Sequence, residues 1–380
     1  MTAGRADAFE QYGDWDEDDV RVRPNPKSNR PRSKQRPEHA DAIPGLVVTV
    51  DRGRATVLVA DDGRPVSVDT VPGLAADRAG TRDGAGAASE RVRAVTAARA
   101  RELGRQRIVT GDVVDLVGDV TGAPGTLARI VRIHNRKTLL RRSADDTDQI
   151  ERVIVANADR LCIVAATVDP EPRPRLIDRC IVAALDAGIE PMLLLTKTDL
   201  KAANELRALV EPLGVPIFES QRAAAPVDEL RSAIAGTTTV LVGHSGVGKS
   251  TIVNLLVPNA EREVGRVNDV TGRGRHTSSS SVALPVVDAR GRGGWIIDTP
   301  GVRSFGLGHV SHDSVLRGFS DLAAIADDCP RGCTHRVDAP DCELDEAVRD
   351  GRLDARGADR LESLRRLFVS LETAEDEWRS

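Results

Sequence analysis

Residues 240–251 read VLVGHSGVGKST. Three apolar residues run into Gly243, four residues intervene, and Gly248, Lys249 and Ser250 follow. This is the spacing of a phosphate-binding loop, and its context agrees: TTTVLVG predicts a strand before it and KSTIVNLLV a helix after it. The loop needs these residue types. Glycines let the backbone curl so that its N–H groups point at phosphate oxygens, and the helix N-terminus adds its positive end. Gly243, His244, Ser245, Gly246, Val247, Gly248, Lys249, Ser250 and Thr251 form the expected cradle. Lys249 reaches the β- and γ-phosphates, and the Ser250 hydroxyl ligates Mg²⁺. The position is unusual, because only 129 residues remain after Thr251.

Two further elements complete a guanine nucleotide site. Downstream, GWIIDTPG is a predicted strand ending in Asp298, an acid placed to hold Mg²⁺, followed by Gly301, whose N–H can sense a γ-phosphate. The base reader lies upstream. LLLTKTDL ends a predicted buried strand in Thr196-Lys197-Thr198-Asp199, where Asn-Lys-x-Asp is the expected form. A carboxylate at Asp199 accepts from guanine N1–H and N2–H, which adenine cannot offer. Ser220 ends the next strand and can start the loop on the other side of the base. The order is therefore base reader, phosphate loop, Mg²⁺ acid. A conventional GTPase runs phosphate loop, Mg²⁺ acid, base reader. The same sheet is built from either order if the old termini lie close enough to join, so the chain reads as a circularly permuted GTPase domain over 150–310.

Between loop and acid lies GRGRHTS, residues 272–278. It occupies the place of the first GTPase switch. Thr277 is the expected threonine that closes on Mg²⁺, and His276 the group that orients water or meets the γ-phosphate. Val302 stands where a water-positioning Gln is found in related enzymes, and Val cannot hydrogen-bond water. Slow intrinsic hydrolysis, completed by His276 or a partner, is expected.

The chain has five cysteines, and three of them fall within residues 329–342. Cys329, Cys333, His335 and Cys342 offer three sulfurs and one imidazole, a donor set for one structural, tetrahedral Zn²⁺. The 311–380 stretch around them reads as helical. Ahead of the GTPase pattern, 44–142 reads as β: LVVTV, RATVLVA, RPVSVDT, QRIVTGDVVDLVGD and LARIVRI are short runs separated by turn residues. Five such strands suit an OB-type barrel, with 72–90 as a long loop. Arginines at 91, 93, 99, 101, 105, 107, 129, 132, 136, 141 and 142, with Lys137, suggest a nucleic-acid face, so that 44–142 is expected to be an OB-fold RNA-binding domain; the other reading is an ordinary charged surface. Residues 1–43 carry an acidic run and then a Pro-rich basic run without apolar periodicity. They read as a disordered tail, either solvated or clamping RNA phosphates.

The net charge of −5 excludes a uniformly polyanion-binding chain. No apolar run approaches the ~20 residues of a membrane span. No secretory signal is evident, and the cysteine usage fits a cytoplasmic, reducing compartment. The fold class expected is thus multidomain α/β: an N-terminal OB-type β-barrel, a circularly permuted P-loop GTPase domain and a C-terminal helical zinc-binding segment.

These parts, in this order, resemble the ribosome small subunit-dependent GTPase A family over about 44–370, most specifically in GHSGVGKST, GRGRHT, DTPGVRSF and CPRGCTH. The resemblance implies a GTP hydrolase acting in late maturation of the 30S ribosomal subunit. It implies GTP/GDP, Mg²⁺ and one structural Zn²⁺ as cofactors, and the 30S subunit with its 16S rRNA as partner and stimulator. Neither membrane nor DNA is expected as a partner, and a monomer is expected. It also implies that Thr196, Lys197, Thr198 and Asp199 read guanine, that 243–251 hold phosphate and Mg²⁺, and that His276 is catalytic. Cys329, Cys333, His335 and Cys342 carry over as zinc ligands. Here Thr196 replaces Asn, the first Cys–Cys gap is one residue shorter than usual and the His–Cys gap one longer. Two other readings remain: a metabolic P-loop kinase or ATPase, which has no use for TKTD, and a zinc/OB RNA-binding protein with vestigial GTPase activity.

Overall fold

Apolar runs long enough to be buried on both faces build the centre of the structure, a computed structural model that describes residues 39–66, 92–143, 151–257, 281–299, 305, 307 and 310–379. Strands Arg160–Ala166 (β8), Glu190–Thr196 (β9), Ile217–Ser220 (β10), Thr238–Val242 (β11) and Gly293–Asp298 (β13) are parallel, and Val282–Val287 (β12) joins them antiparallel to β13. The order across this sheet is β10-β9-β8-β11-β13-β12. Successive side chains feed opposite layers, as the two-residue period of a strand requires. In β9, Leu193 and Leu195 join one core with helix Pro174–Asp186 (α1), while Met192 and Leu194 join another with Val227–Ile234 (α3) and Lys249–Leu256 (α4). The remaining helix of this part is Asn204–Val210 (α2). α1 forms where sequence dictates: Pro174 sits in its first turn, and Ile177, Cys180, Ile181 and Ala184 make its buried stripe.

The other half of the sheet curls into a barrel of Ile43–Asp51 (β1), Arg54–Ala60 (β2), Val92–Arg99 (β3), Val113–Gly118 (β4) and Ala128–Ile133 (β5). Pairing runs β1-β2-β3-β5-β4, and β4 closes back on β1. Only β3–β5 is parallel, which is the five-stranded OB arrangement. Val47, Val57, Val95, Val114, Leu116 and Ile130 fill the interior. The expected strand RPVSVDT is corrected. Arg64–Val66 is not strand, residues 67–70 lie outside the described residues, and Val92–Arg99 takes the third place.

A two-stranded hairpin, Leu139–Ser143 (β6) with Glu151–Ala156 (β7), bridges barrel and parallel sheet across the expected boundary at 142–150. At the far end, short helices His312–Leu316 (α5), Ser320–Ala326 (α6) and Glu343–Arg349 (α7) precede the long Ala355–Arg379 (α8). α8 is fastened to the parallel sheet's helices. Arg366 reaches both carboxylate oxygens of the buried Asp178 in α1 at 3.3 Å and donates to Leu209 O at 2.8 Å. Burial pushes the Asp178 carboxyl up from its ordinary value, and Arg366 opposes that shift. Residues 39–380 form one compact unit.

Candidate GTP site and metal centre

In a parallel sheet the strand C-termini share one edge, and the loops leaving them make the binding crevice. Here β8, β9, β11 and β13 bring to that edge the 167–173 turn, the 196–199 turn, the phosphate loop and Asp298.

The loop's shape is set by close approach. A Cβ on Gly243 would lie 2.3 Å from Val164 O, so only glycine lets β11 leave beside β8. Gly246 and Gly248 both have φ in the left-handed region, at 82° and 96°, and α4 begins at Lys249. Lys249 Nζ donates to Gly243 O at 2.6 Å and His244 O at 3.3 Å. Burial lowers its pKa, and the Asp298 carboxylate opposes that. Asp298 is shifted the other way: burial raises its carboxyl, while Lys249 and the Thr299 N–H hold it down. Its Oδ1 is buried and makes no hydrogen bond to the described residues. An orphaned carboxylate oxygen is costly unless something else satisfies it, and with the exposed Ser250 hydroxyl it gives an all-oxygen donor set that suits Mg²⁺. Thr299 Oγ1 donates to Leu241 O at 2.7 Å, pinning the end of β13 to β11.

The 196–199 turn is held from both sides. Thr196 is 6% exposed, and its hydroxyl lies 2.6 Å from Val247 O in the phosphate loop and 3.4 Å from Ala165 O. That hydroxyl is committed to backbone carbonyls. Lys197 adopts φ 60°, and its Nζ donates to Asp169 O. Thr167 Oγ1 donates to Lys197 O at 2.8 Å. Thr198 N–H and hydroxyl both donate to Ser220 O, at 3.3 and 3.4 Å, and Arg222 N–H donates to Asp199 Oδ1 at 3.4 Å. The loop after β10 is therefore already joined to the 196–199 turn. Thr167 and Asp169 were absent from the sequence-derived site. The signal for them was the Pro-rich TVDPEP following a buried strand, a tight turn at the edge where ligands bind. His276, Thr277, Gly301 and Val302 lie outside the described residues.

Beyond α6, Cys329 Sγ, Cys333 Sγ, His335 Nδ1 and Cys342 Sγ all lie within 4.8 Å of one another. His335 Nδ1 is 3.6 Å from Cys329 Sγ and 3.9 Å from Cys342 Sγ. Ligands ~2.3 Å from a tetrahedral Zn²⁺ stand ~3.8 Å apart, so the spacing fits. Two backbone N–H groups already point at sulfur, His335 at Cys333 (3.4 Å) and Glu343 at Cys329 (3.3 Å). Burial, with the neighbouring sulfurs, pushes the Cys329 thiol up to about 11. Burial holds His335 toward its neutral, ligating form. A cation is the group that would reverse the thiol shift.

The barrel arginines divide. Arg93 pairs with Asp61 at 2.6 Å, Arg132 with Asp115 at 3.1 Å and Arg136 with Asp112 at 2.7 Å. Arg101, Arg105, Arg107 and Arg129 are exposed and make no ion pair with the described residues. Among the described residues no helix is long and apolar enough to cross a membrane.

The fold and this edge define a circularly permuted P-loop GTPase domain carried between an OB-type barrel and a helical segment with a Cys₃His cluster. A model of the RsgA GTPase family matches residues 133–308. The chain is 38% identical over 272 residues to the small ribosomal subunit biogenesis GTPase RsgA of Pseudomonas aeruginosa, covering 70% of this chain and 76% of that one. It is 39% identical to the protein of that name from Pseudomonas syringae pv. tomato, covering 70% and 75%. The chain belongs to the RsgA GTPase family. Solved structures agree on the fold. The crystal structure of YjeQ from Thermotoga maritima aligns with TM-score 0.56 at 22% identity, over 87% of this chain and 99% of that one. YloQ, described as a circularly permuted GTPase, aligns with TM-score 0.53 at 20% identity, over 90% and 98%.

Proposed function

We propose that this protein binds GTP and GDP with Mg²⁺, docks on the small ribosomal subunit through 16S rRNA, and uses GTP hydrolysis as a switch in late subunit maturation. The observation carrying the nucleotide half is the strand order β9-β8-β11-β13, which collects base turn, phosphate loop and Asp298 at one edge. Asp199 accepts from guanine, with Lys197 and Thr198 shaping its turn. Thr196 ties that turn to the phosphate loop and does not meet the base. Residues 243–251 hold the phosphates, and Lys249 exchanges its carbonyl partners for phosphate oxygens. Ser250 and Asp298 would hold Mg²⁺, which would neutralise charge developing on the phosphates. The roles of Thr277 on Mg²⁺, His276 on water or γ-phosphate and Gly301 on γ-phosphate rest on their sequence positions. Cys329, Cys333, His335 and Cys342 hold a structural Zn²⁺ that fixes the segment between α6 and α7.

The partner half rests on the names of the relatives and on the exposed arginines of the barrel, whose charge suits RNA phosphates. The working units are barrel 44–142, GTPase domain 150–310 and zinc segment 311–380, and a ribosomal partner puts the activity in the cytoplasm. Competition against a fluorescent GTP analogue tests the nucleotide half. GTP and GDP displace it at concentrations at least a hundredfold below ATP. Equal displacement by ATP removes the base-reader assignment.

A further inference from the structure

The link from β3 to β4, residues 100–112, joins two environments. Its first part carries Arg101, Arg105 and Arg107, exposed and without an ion pair among the described residues. Its last part is buried: Val109 is 7% exposed, Thr110 2% and Asp112 0%. Buried polar groups have to be satisfied, and here all but one of the partners come from other parts of the chain. The Asp112 carboxylate accepts from Val109 N–H at 2.8 Å and from Arg136 at 2.7 and 2.8 Å. Gly111 N–H donates to Val47 O of β1 at 2.8 Å. Thr110 O accepts from Ala156 N–H of β7 at 3.0 Å. The Thr110 hydroxyl donates to Ser281 O, the residue before β12, at 3.1 Å. Gly111 has φ 90°, and a Cβ there would meet Ala156 O at 2.1 Å, so link and hairpin touch backbone to backbone.

Ser281 is next to a short route into the GTP site. Val282 stands opposite Thr49 of the barrel on one side and opposite Asp298 on the other. The Thr110 contact is thus one residue and one strand spacing, ~4.8 Å, from the register position of the Mg²⁺ acid. In sequence, Ser281 follows the GRGRHTS stretch by three residues.

We propose that Thr110 is a positioning residue that passes RNA docking on the Arg101–Arg107 face to the hydrolytic edge of the GTPase sheet through Ser281. Phosphates held by the arginines fix the outer half of the link. The buried half, anchored by Asp112 and Gly111, then holds the start of β12, and β12 sets the register against Asp298. Coupling carried through contiguous hydrogen bonds is a physical claim only if breaking one changes the coupling. The inference rests on the small subunit being the stimulating partner.

The test uses the full-length protein, isolated small subunits and Thr110→Val, which exchanges the hydroxyl for a methyl of similar size. At saturating subunits, stimulated turnover falls about three- to tenfold, the size of one neutral hydrogen bond. Turnover without subunits and the Kd for subunits stay within about twofold, and Thr110→Ser restores stimulation. Replacing Arg101, Arg105 and Arg107 by Gln lowers the slope of log K against log salt by about 0.7–0.9 per lost phosphate contact. Stimulation by subunits that is equal in wild type and Thr110→Val overturns the proposal. So does an equal loss with and without subunits, which marks Thr110 as a fold element alone. Wild type that subunits do not stimulate overturns the partner reading itself.

Discussion

Thr196→Val replaces a hydroxyl by a methyl of almost the same size at a site only 6% exposed. The hydroxyl's shorter bond, 2.6 Å to Val247 O, spans from the base turn to the phosphate loop. Removing it leaves that carbonyl without this donor, and an unsatisfied buried group costs ~1–3 kcal/mol. If the tether orders the loop for nucleotide, that cost appears in binding. A loss of ~1.4 kcal/mol is tenfold, so GTP and GDP affinities fall together by about five- to a hundredfold. With the hydroxyl committed to backbone carbonyls, the ratio of GTP to XTP affinity is expected not to move. Thr196→Ser keeps the donor and keeps affinity within a few fold. Isothermal titration with GTP, GDP and XTP on the three proteins measures this. A Thr196→Val protein with altered GTP/XTP preference places the side chain on the base and refutes the tether. Unchanged affinity for every nucleotide refutes the coupling of the two loops.

Other outcomes follow from the same geometry. Asp199→Asn moves preference from GTP toward XTP, read by competition binding, since an amide cannot accept both guanine N–H groups. Gly243→Ala forces a contact of 2.3 Å with Val164 O, so β11 and β8 separate at the loop and GTP affinity drops more than tenfold. Cys342→Ser abolishes stoichiometric zinc by elemental analysis and destabilises the segment between α6 and α7, seen as faster proteolysis there. Burial raises the Asp178 carboxyl above its ordinary 3.8, so the fold binds that proton more tightly than the unfolded chain does. Its contribution to stability is therefore greatest at acid pH and declines as pH rises through the folded value. Asp178→Asn removes this component, which urea unfolding of the pair at several pH values detects as a flatter profile.

What the sequence made legible was local. The phosphate loop, its strand and its helix lie within 238–256 and carry their own punctuation. TKTD at the end of a buried strand and the three clustered cysteines were visible for the same reason. The third barrel strand was not. Val92–Arg99 carries three alanines, a residue depleted in strands, and only closure against β2 and β5 makes Val95 and Ala97 interior. RPVSVDT has the better local pattern, but 64–66 are not strand and the pairing with β2 and β5 falls to Val92–Arg99. The hairpin β6–β7 fell on the expected domain boundary, where a change of texture hid a connecting element. Thr110 and Ser281 are 171 residues apart, and Thr196 and Val247 are 51 apart. No periodicity within either segment signals such partners, because the fold alone brings them together.

The proposed switch is a GTPase fired by the small ribosomal subunit. Steady-state phosphate release from GTP, measured with and without isolated small subunits at low salt, tests it most directly. Turnover alone is expected to be slow, in keeping with Val302, with a large increase on adding small subunits and none with large subunits or with ATP. Turnover indifferent to small subunits would contradict it.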